Sequence, residues 1–348
     1  MKKKFFLCTL FLSMFSRLHT NVILLADGPE INPLVEKLCD SPHVHKLYIA
    51  ANSYPIQYDH PKIEYLSLSS RDIYSVSKFA IQEKIDFIIA NNADALKNGI
   101  VNLSQHLSYH CFGALQKSLF LEDSYTLSRT FAAECGIFCI PYALCTSKEE
   151  AQKLVTYHRY PLIIKTDNQS SHKKSSLFYS LQESLTWIEE WFSYPHSNKK
   201  LIIEEFLSGE KTEIMILTDG TTILPLVYCN TESLIFRNLL NTQPLFFDEY
   251  IDRDKIITKI IEPLFAGLKN KFGITYKGIL HVSCIMYNGE PMLLGFKCRF
   301  KNPETTYLMN HIKTDIYQLL KNSLTGSLEE QKLEWDHRSN MEIILEKI

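Results

Sequence analysis

Short apolar runs alternate with amphipathic stretches along the first third of the chain. "NVILLADG" (Asn21 to Gly28), "KLYIAA", "KIEYLSL" and "IDFIIANNADAL" read as strands, the first and last ending in polar turns. Between them, "INPLVEKLCDS" and "RDIYSVSKFAIQEK" place apolar residues at helical spacing. Strands alternating with helices predict a doubly wound parallel sheet covered on both faces. Ligands of such sheets bind beyond the carboxyl ends of the strands, which here are Ala26 to Pro29 and Asn91 to Asp94.

The pattern changes near Leu121. "LEDSYTLSRTFAAECG" predicts a helix, and "SKEEAQKLVTYHR" a second one opened by a capping box of Ser147 and Glu150. "YPLIIKTD" is a strand presenting Lys165 at its end, "NQSSHKKSSLFYS" a polar loop entering a strand, and "SLQESLTWIEEWF" a helix capped by Ser180 and Glu183. A third region opens with "KKLIIEEFLSGEKTEIMILTDGTTILPLVY". A strand ends there at Glu204 and Glu205, turns at Gly209 and continues into two strands joined by Asp219-Gly220. The helix "DKIITKIIEPLFAGLKNKFG" follows, then two strands joined by Asn288-Gly289 and the helix "TYLMNHIKTDIYQLLKNSL". The organisation expected is a leader or extension at 1–20, a parallel α/β domain at 21–120, a small lobe at 121–195 and a larger α+β lobe at 196–348.

Composition narrows the partners. With 37 basic and 39 acidic residues the net charge is −2, which argues against nucleic acid and anionic membrane surfaces. Nine cysteines without paired short spacings point to a reducing compartment rather than a disulfide framework. The group Cys135, Cys139 and Cys145 reads as small apolar residues in preference to a zinc site. The 12 glycines are about half of average usage, so little material exists for a glycine-rich phosphate loop. "MKKKFFLCTLFLSMFSRLHT" has the basic start and apolar run of a signal peptide without a small-x-small cleavage site. An uncleaved leader or an initiation at Met14 in a cytoplasmic protein is the expectation, with export as the alternative.

Lys165 at a strand end and the acidic crossing "IIEEFLSGE" are what a nucleotide sandwiched between two lobes requires, with lysine on phosphate and linker backbone on adenine. A solvated hairpin edge with a strand-end lysine accounts for the same residues.

The chain resembles the phosphoribosylamine–glycine ligase (glycinamide ribonucleotide synthetase) family of ATP-grasp enzymes. The stretches that carry the resemblance include "EKIDFIIANNADALKNGIVN", "FGALQKSLFLEDSYTLSRTFAAECGI", "YPLIIKTD", "LIIEEFLSGEKTEIMILTDGTTILPL" and "CRFKNPET". They stand in the family's order from about Asn21 to Arg338. The resemblance implies an ATP-grasp architecture, a doubly wound first domain followed by two lobes that sandwich a nucleotide. It implies ATP as cofactor, small carboxylate and amine substrates, and purine synthesis. Lys165 falls on the family's phosphate lysine, and Glu204, Glu205, Phe206 and Leu207 on its adenine linker. Lys173 falls on the lysine of its lid, and Arg299 and Glu304 on its C-R-F-G-D-P-E segment.

Several positions depart from that pattern. The family's metal-binding Glu and Asn fall on Gly295 and Lys297, and protonated lysine has no acceptor, which places magnesium in doubt. The lid "DNQSSHKKS" lacks glycine. The first nucleotide-site lysine falls on Tyr125, with Arg129 one helical turn on as its expected substitute; the ribose-contacting Glu falls on Lys211, with Glu213 as its expected substitute. Asp248, Glu249 and Glu290 are the acidic residues a rebuilt metal site would draw on. The chain stops about where the family's last domain begins. The expectation is a divergent, truncated homologue with weakened or lost ligation; the alternative is a non-catalytic nucleotide- or partner-binding protein. A homodimer is left open.

Overall fold

A computed structural model describes residues 20–26, 31–51, 58–167, 175–193, 195, 200–230 and 253–336. They form two compact units, one from residues up to 116 together with 300–336, the other from 117–299.

In the first unit β1 (Thr20–Ala26), β2 (Val44–Ala51), β3 (Ile63–Tyr65), β4 (Phe87–Ala90) and β5 (His110–Phe112) make a parallel sheet in the order β3-β2-β1-β4-β5. Val22 to Ala26 and Phe87 to Ala90 are all buried, which is why β1 and β4 read as unbroken apolar runs. Helices α1 (Asn32–Asp40) and α2 (Ile73–Gln82) link the strands, α2 capped by Asp72 on the Ser75 amide.

Segment 300–336, which the sequence reading assigned to the large lobe, packs with this first unit. Asn91 holds it just past β4: its side-chain carbonyl accepts from the Phe300 amide (2.8 Å) and its amide donates to the Phe300 carbonyl (3.3 Å). Lys37 donates to the Ile312 carbonyl, and Tyr317 meets Phe87 edge-on. The single helix expected over 306–324 is two, α7 (Glu304–His311) and α8 (Ile316–Thr325), because Ile312 bridges to Trp335 and Asp315 caps α8 on the Gln318 amide. Asn91→Ala is expected to cost about 1–3 kcal/mol, since it strands two buried backbone groups of Phe300; urea unfolding measures it, and an unchanged midpoint would contradict this anchor.

The second unit holds two antiparallel sheets. The smaller has the order β6-β9-β7-β8, from β6 (Tyr142–Cys145), β7 (Leu162–Thr166), β8 (Ser175–Phe178) and β9 (Leu201–Glu205). Helix α3 (Tyr125–Glu134) precedes it in the chain, and α4 (Lys148–Tyr157) and α5 (Leu181–Ser193) share its core through Ala151, Val155, Ile188 and Trp191. The helix expected over 121–136 breaks at Ser124, whose hydroxyl caps α3 on the Leu127 amide, while Asp167 beyond β7 accepts from the Thr126 amide. The Ser147 box forms by half: Ser147 caps α4, and Glu150 reaches the Thr146 amide instead of its own.

The larger sheet has the order β11-β10-β12-β13, from β10 (Glu210–Thr218), β11 (Ile223–Asn230), β12 (Gly278–Tyr287) and β13 (Glu290–Lys297). Its β12–β13 turn puts Asn288 at φ 53° and Gly289 at φ 77°, the mirror-image geometry that matches strand twist. The helix expected over 254–273 contains a π segment at Ile257–Ile261 before α6 (Glu262–Phe272). There the Glu262 amide bonds the Ile257 carbonyl, five residues back, directly before Pro263. Among the described residues no helix is long and apolar enough to cross a membrane.

Candidate functional site

Strand register places a set of polar side chains on one face of the larger sheet. Glu213 on β10 pairs with Ser283 on β12, and Ser283 with Gly295 on β13; Met215, His281 and Lys297 form the next cross-strand row. The Ser283 hydroxyl donates to Glu213, and the Lys211 ammonium lies 3.4 Å from the other oxygen of that carboxylate. Gly295 turns its open side toward Tyr125: a Cβ there would lie 3.6 Å from the ring.

Tyr125, at the start of α3, joins this face to the smaller sheet. The Lys165 ammonium lies 5.1 Å from its ring centroid, within cation–π range. Lys165 on β7 and Glu204 on β9 stand on neighbouring strands, and their ion pair is 2.7 Å long. The second oxygen of Glu204 lies 2.8 Å from Arg129, whose guanidinium also donates to the Ile140 and Leu294 carbonyls. Arg129 and Glu204 are wholly inaccessible to solvent, and the Lys165 side chain is 10 % exposed. Desolvation holds the Lys165 ammonium below the ordinary lysine value; Glu204 opposes that shift, and Arg129 and Lys211 add to it. Desolvation likewise raises the Tyr125 phenol, so its ring is a neutral wall.

Lys165, Glu204, Arg129 and Glu213 therefore converge around Tyr125 and the sheet face. Their roles in the geometry differ from the sequence expectation in three cases. Arg129 lies on α3 as expected, yet its guanidinium is consumed by Glu204 and two carbonyls. The Glu204 carboxylate points into the Arg129–Lys165 pair, so its side chain is not on an adenine edge. Glu213 is tied to Ser283 and Lys211. Glu205, which ends β9 with its amide on the Pro141 carbonyl, and Phe206 are exposed, and Leu207 is half-buried. Arg299 is held by Glu122, which accepts from its Nε and from the Cys298 amide, both at 2.9 Å. Glu304 is buried in the first unit. Lys173 lies outside the described residues, as do Asp248 and Glu249; Glu290 pairs with Lys259 at the surface.

Sequence reasoning did not find Glu122, Ser283 or Tyr142, whose ring lies 5.4 Å from the Arg129 guanidinium carbon. Ser283 was not within reach of alternation alone: counted from the β12–β13 turn it would face Leu294, and a bulge between Ser283 and Cys284 brings it opposite Gly295.

Magnesium, which the resemblance implies, needs hard oxygen ligands in octahedral array. The residues of this face do not supply them. Position 295 has no side chain and position 297 carries a cation, while Glu204 and Glu213 are already paired. Among the described residues no three His, Cys, Asp or Glu side chains are grouped to hold a metal.

Comparison with known proteins follows the same lines. The model of the phosphoribosylglycinamide synthetase N domain matches residues 20–122, and that of its ATP-grasp (A) domain residues 123–238. A phosphoribosylamine–glycine ligase of Haemophilus influenzae is 27 % identical over 339 residues, covering 93 % of this chain and 78 % of its own. The crystal structure of phosphoribosylamine–glycine ligase from Thermotoga maritima superposes with a TM-score of 0.64 at 16 % identity, over 90 % of this chain and 76 % of that one. The biotin carboxylase domain of Hydrogenobacter thermophilus 2-oxoglutarate carboxylase, in complex with MgADP, ADP and bicarbonate, gives 0.65 at 14 % identity, over 88 % and 70 %. With both domain models matched in order across more than half of its length, the chain belongs to the phosphoribosylglycinamide synthetase family, with an ATP-grasp fold.

Proposed function

We propose that this chain is a nucleotide-binding member of the family, with ligation of glycine to phosphoribosylamine weakened or lost. One observation carries the reading. On the face around Tyr125, the four cations Arg129, Lys165, Lys211 and Lys297 stand against the three carboxylates Glu204, Glu213 and Asp167, and all three carboxylates are engaged by protein partners. One positive charge is left for an anion, while the oxygen ligands that a metal-assisted phosphoryl transfer needs are missing. ATP or ADP is the ligand class, phosphates toward Lys165 and Lys211, adenine toward the backbone of Glu205 to Leu207. Magnesium has a poor place in that arrangement. A cytoplasmic location and a homodimer belong to the same reading; fractionation of a tagged chain and sedimentation check them.

Calorimetric titration of the full chain with ATP, beside an assay of ADP release with glycine and phosphoribosylamine, tests the proposal. Binding is expected, with turnover at least about 100-fold below that of the Haemophilus relative, the usual loss for one missing pre-organised contact. Lys165→Ala is expected to weaken ATP about tenfold, the size of one charge-assisted hydrogen bond. Turnover equal to the relative's would overturn the loss of ligation, and absence of binding would overturn the nucleotide reading.

A further inference from the structure

Lys297 is the cation of this face that no other contact uses. It ends β13 directly opposite His281 and two residues beyond Gly295, so its half-buried side chain leaves the sheet on the side of Gly295, Ser283 and Glu213. Arg129 is spent on Glu204 and two carbonyls, Lys165 shares Glu204, and Lys211 approaches Glu213. Among the described residues the Lys297 ammonium has no ion pair or hydrogen bond. A primary ammonium is a compact charge with three donors and fits phosphate oxygen as a point contact. It also repels any divalent ion brought to the same place.

We propose that Lys297 takes over the electrostatic work of a divalent ion at this site, so that the chain holds the phosphate tail of a nucleoside di- or triphosphate directly and binds it without magnesium. The inference rests on the nucleotide reading above and sharpens it. The charge balance of the face supports it. An uncompensated positive charge complements a bare diphosphate tail better than one whose charge magnesium has already reduced. The open side of Gly295, walled by the Tyr125 ring, leaves room beside the ammonium in place of a carboxylate that would neutralise it.

The test is calorimetry of the full chain with ADP in EDTA and in excess magnesium at matched ionic strength, repeated for Lys297→Met and Lys297→Arg, with adenosine as the ligand lacking phosphate. Wild-type protein is expected to bind ADP in EDTA at least as tightly as in magnesium. Lys297→Met should weaken ADP about tenfold in EDTA, Lys297→Arg should recover most of that, and adenosine affinity should not change. Binding that requires magnesium overturns the inference and leaves the nucleotide reading standing, as does an unchanged ADP affinity in Lys297→Met. Failure of ADP to bind in either condition overturns the nucleotide reading, and this inference with it. The Lys297→Arg arm separates loss of charge from loss of fold.

Discussion

Glu204→Ala is expected to lower the unfolding free energy of the second unit by about 3–5 kcal/mol, because it leaves Arg129 and Lys165 as buried cations with no counter-charge. Among the described residues, these two ion pairs, at 2.8 and 2.7 Å, are the only carboxylate contacts of the two cations, and Arg129 is fully buried. Urea unfolding measures the loss; a change below about 1 kcal/mol would mean that the carboxylate is an ordinary surface-like pair. The effect has a pH signature. Lys165 already sits below its unfolded value of 10.5, so between its folded value and 10.5 the unfolded chain binds more protons and stability rises with pH. Removing Glu204 lowers the folded value further and widens that window downward. The deficit of the variant relative to wild type is therefore expected to shrink from pH 7 to pH 9.5, since Lys165 escapes its penalty by losing its proton. A deficit that does not change with pH would place the cost elsewhere.

Trp191→Ala is the second large effect, expected to cost about 3–5 kcal/mol. Trp191 on α5 is 3 % exposed and packs with Leu162 and Ile164 of β7 and Leu201 and Ile203 of β9, with Trp187 stacked on it at 6.1 Å. Those two strands carry Lys165 and Glu204 on their next residues. The core thus fixes the spacing of the ion pair, and a cavity beneath it lets the strands shift. ATP affinity should fall together with stability, although Trp191 does not belong to the charged cluster. Conservative Trp191→Phe should recover most of both. A variant that loses stability and keeps full affinity would show that the charged cluster holds itself in place without the small-sheet core.

The local elements were legible because periodicity and turn chemistry are local properties. The buried run of β1, the caps of α2 and α4 and the Asn288-Gly289 hairpin stand where the pattern put them. Misreadings arose where one residue overrode a continuous pattern. Ser124 stops a helix by capping the next one, Asp315 does the same, and a π turn interrupts the helix just before Pro263. The apolar periodicity runs through all three, so it could not reveal them.

At the site the sequence placed Lys165, Glu204 and Arg129 on their elements, and their pairing with one another was not legible in it. Arg129 and Lys165 share the one Glu204 carboxylate in the interior, an arrangement that depends on the approach of α3, β7 and β9 and leaves no trace in spacing. By itself, the sequence determined the order of strands and helices, the parallel first sheet, the family resemblance and the absence of oxygen-bearing side chains at 295 and 297. Tertiary structure alone decided that segment 300–336 belongs to the first unit and that Glu204 and Arg129 are buried. It also decided that Lys297 shares a face with Glu213 and Ser283. The physical reason is range: propensity and period act over a few residues, whereas desolvation and ion pairing are set by whatever distant segment arrives beside a charge.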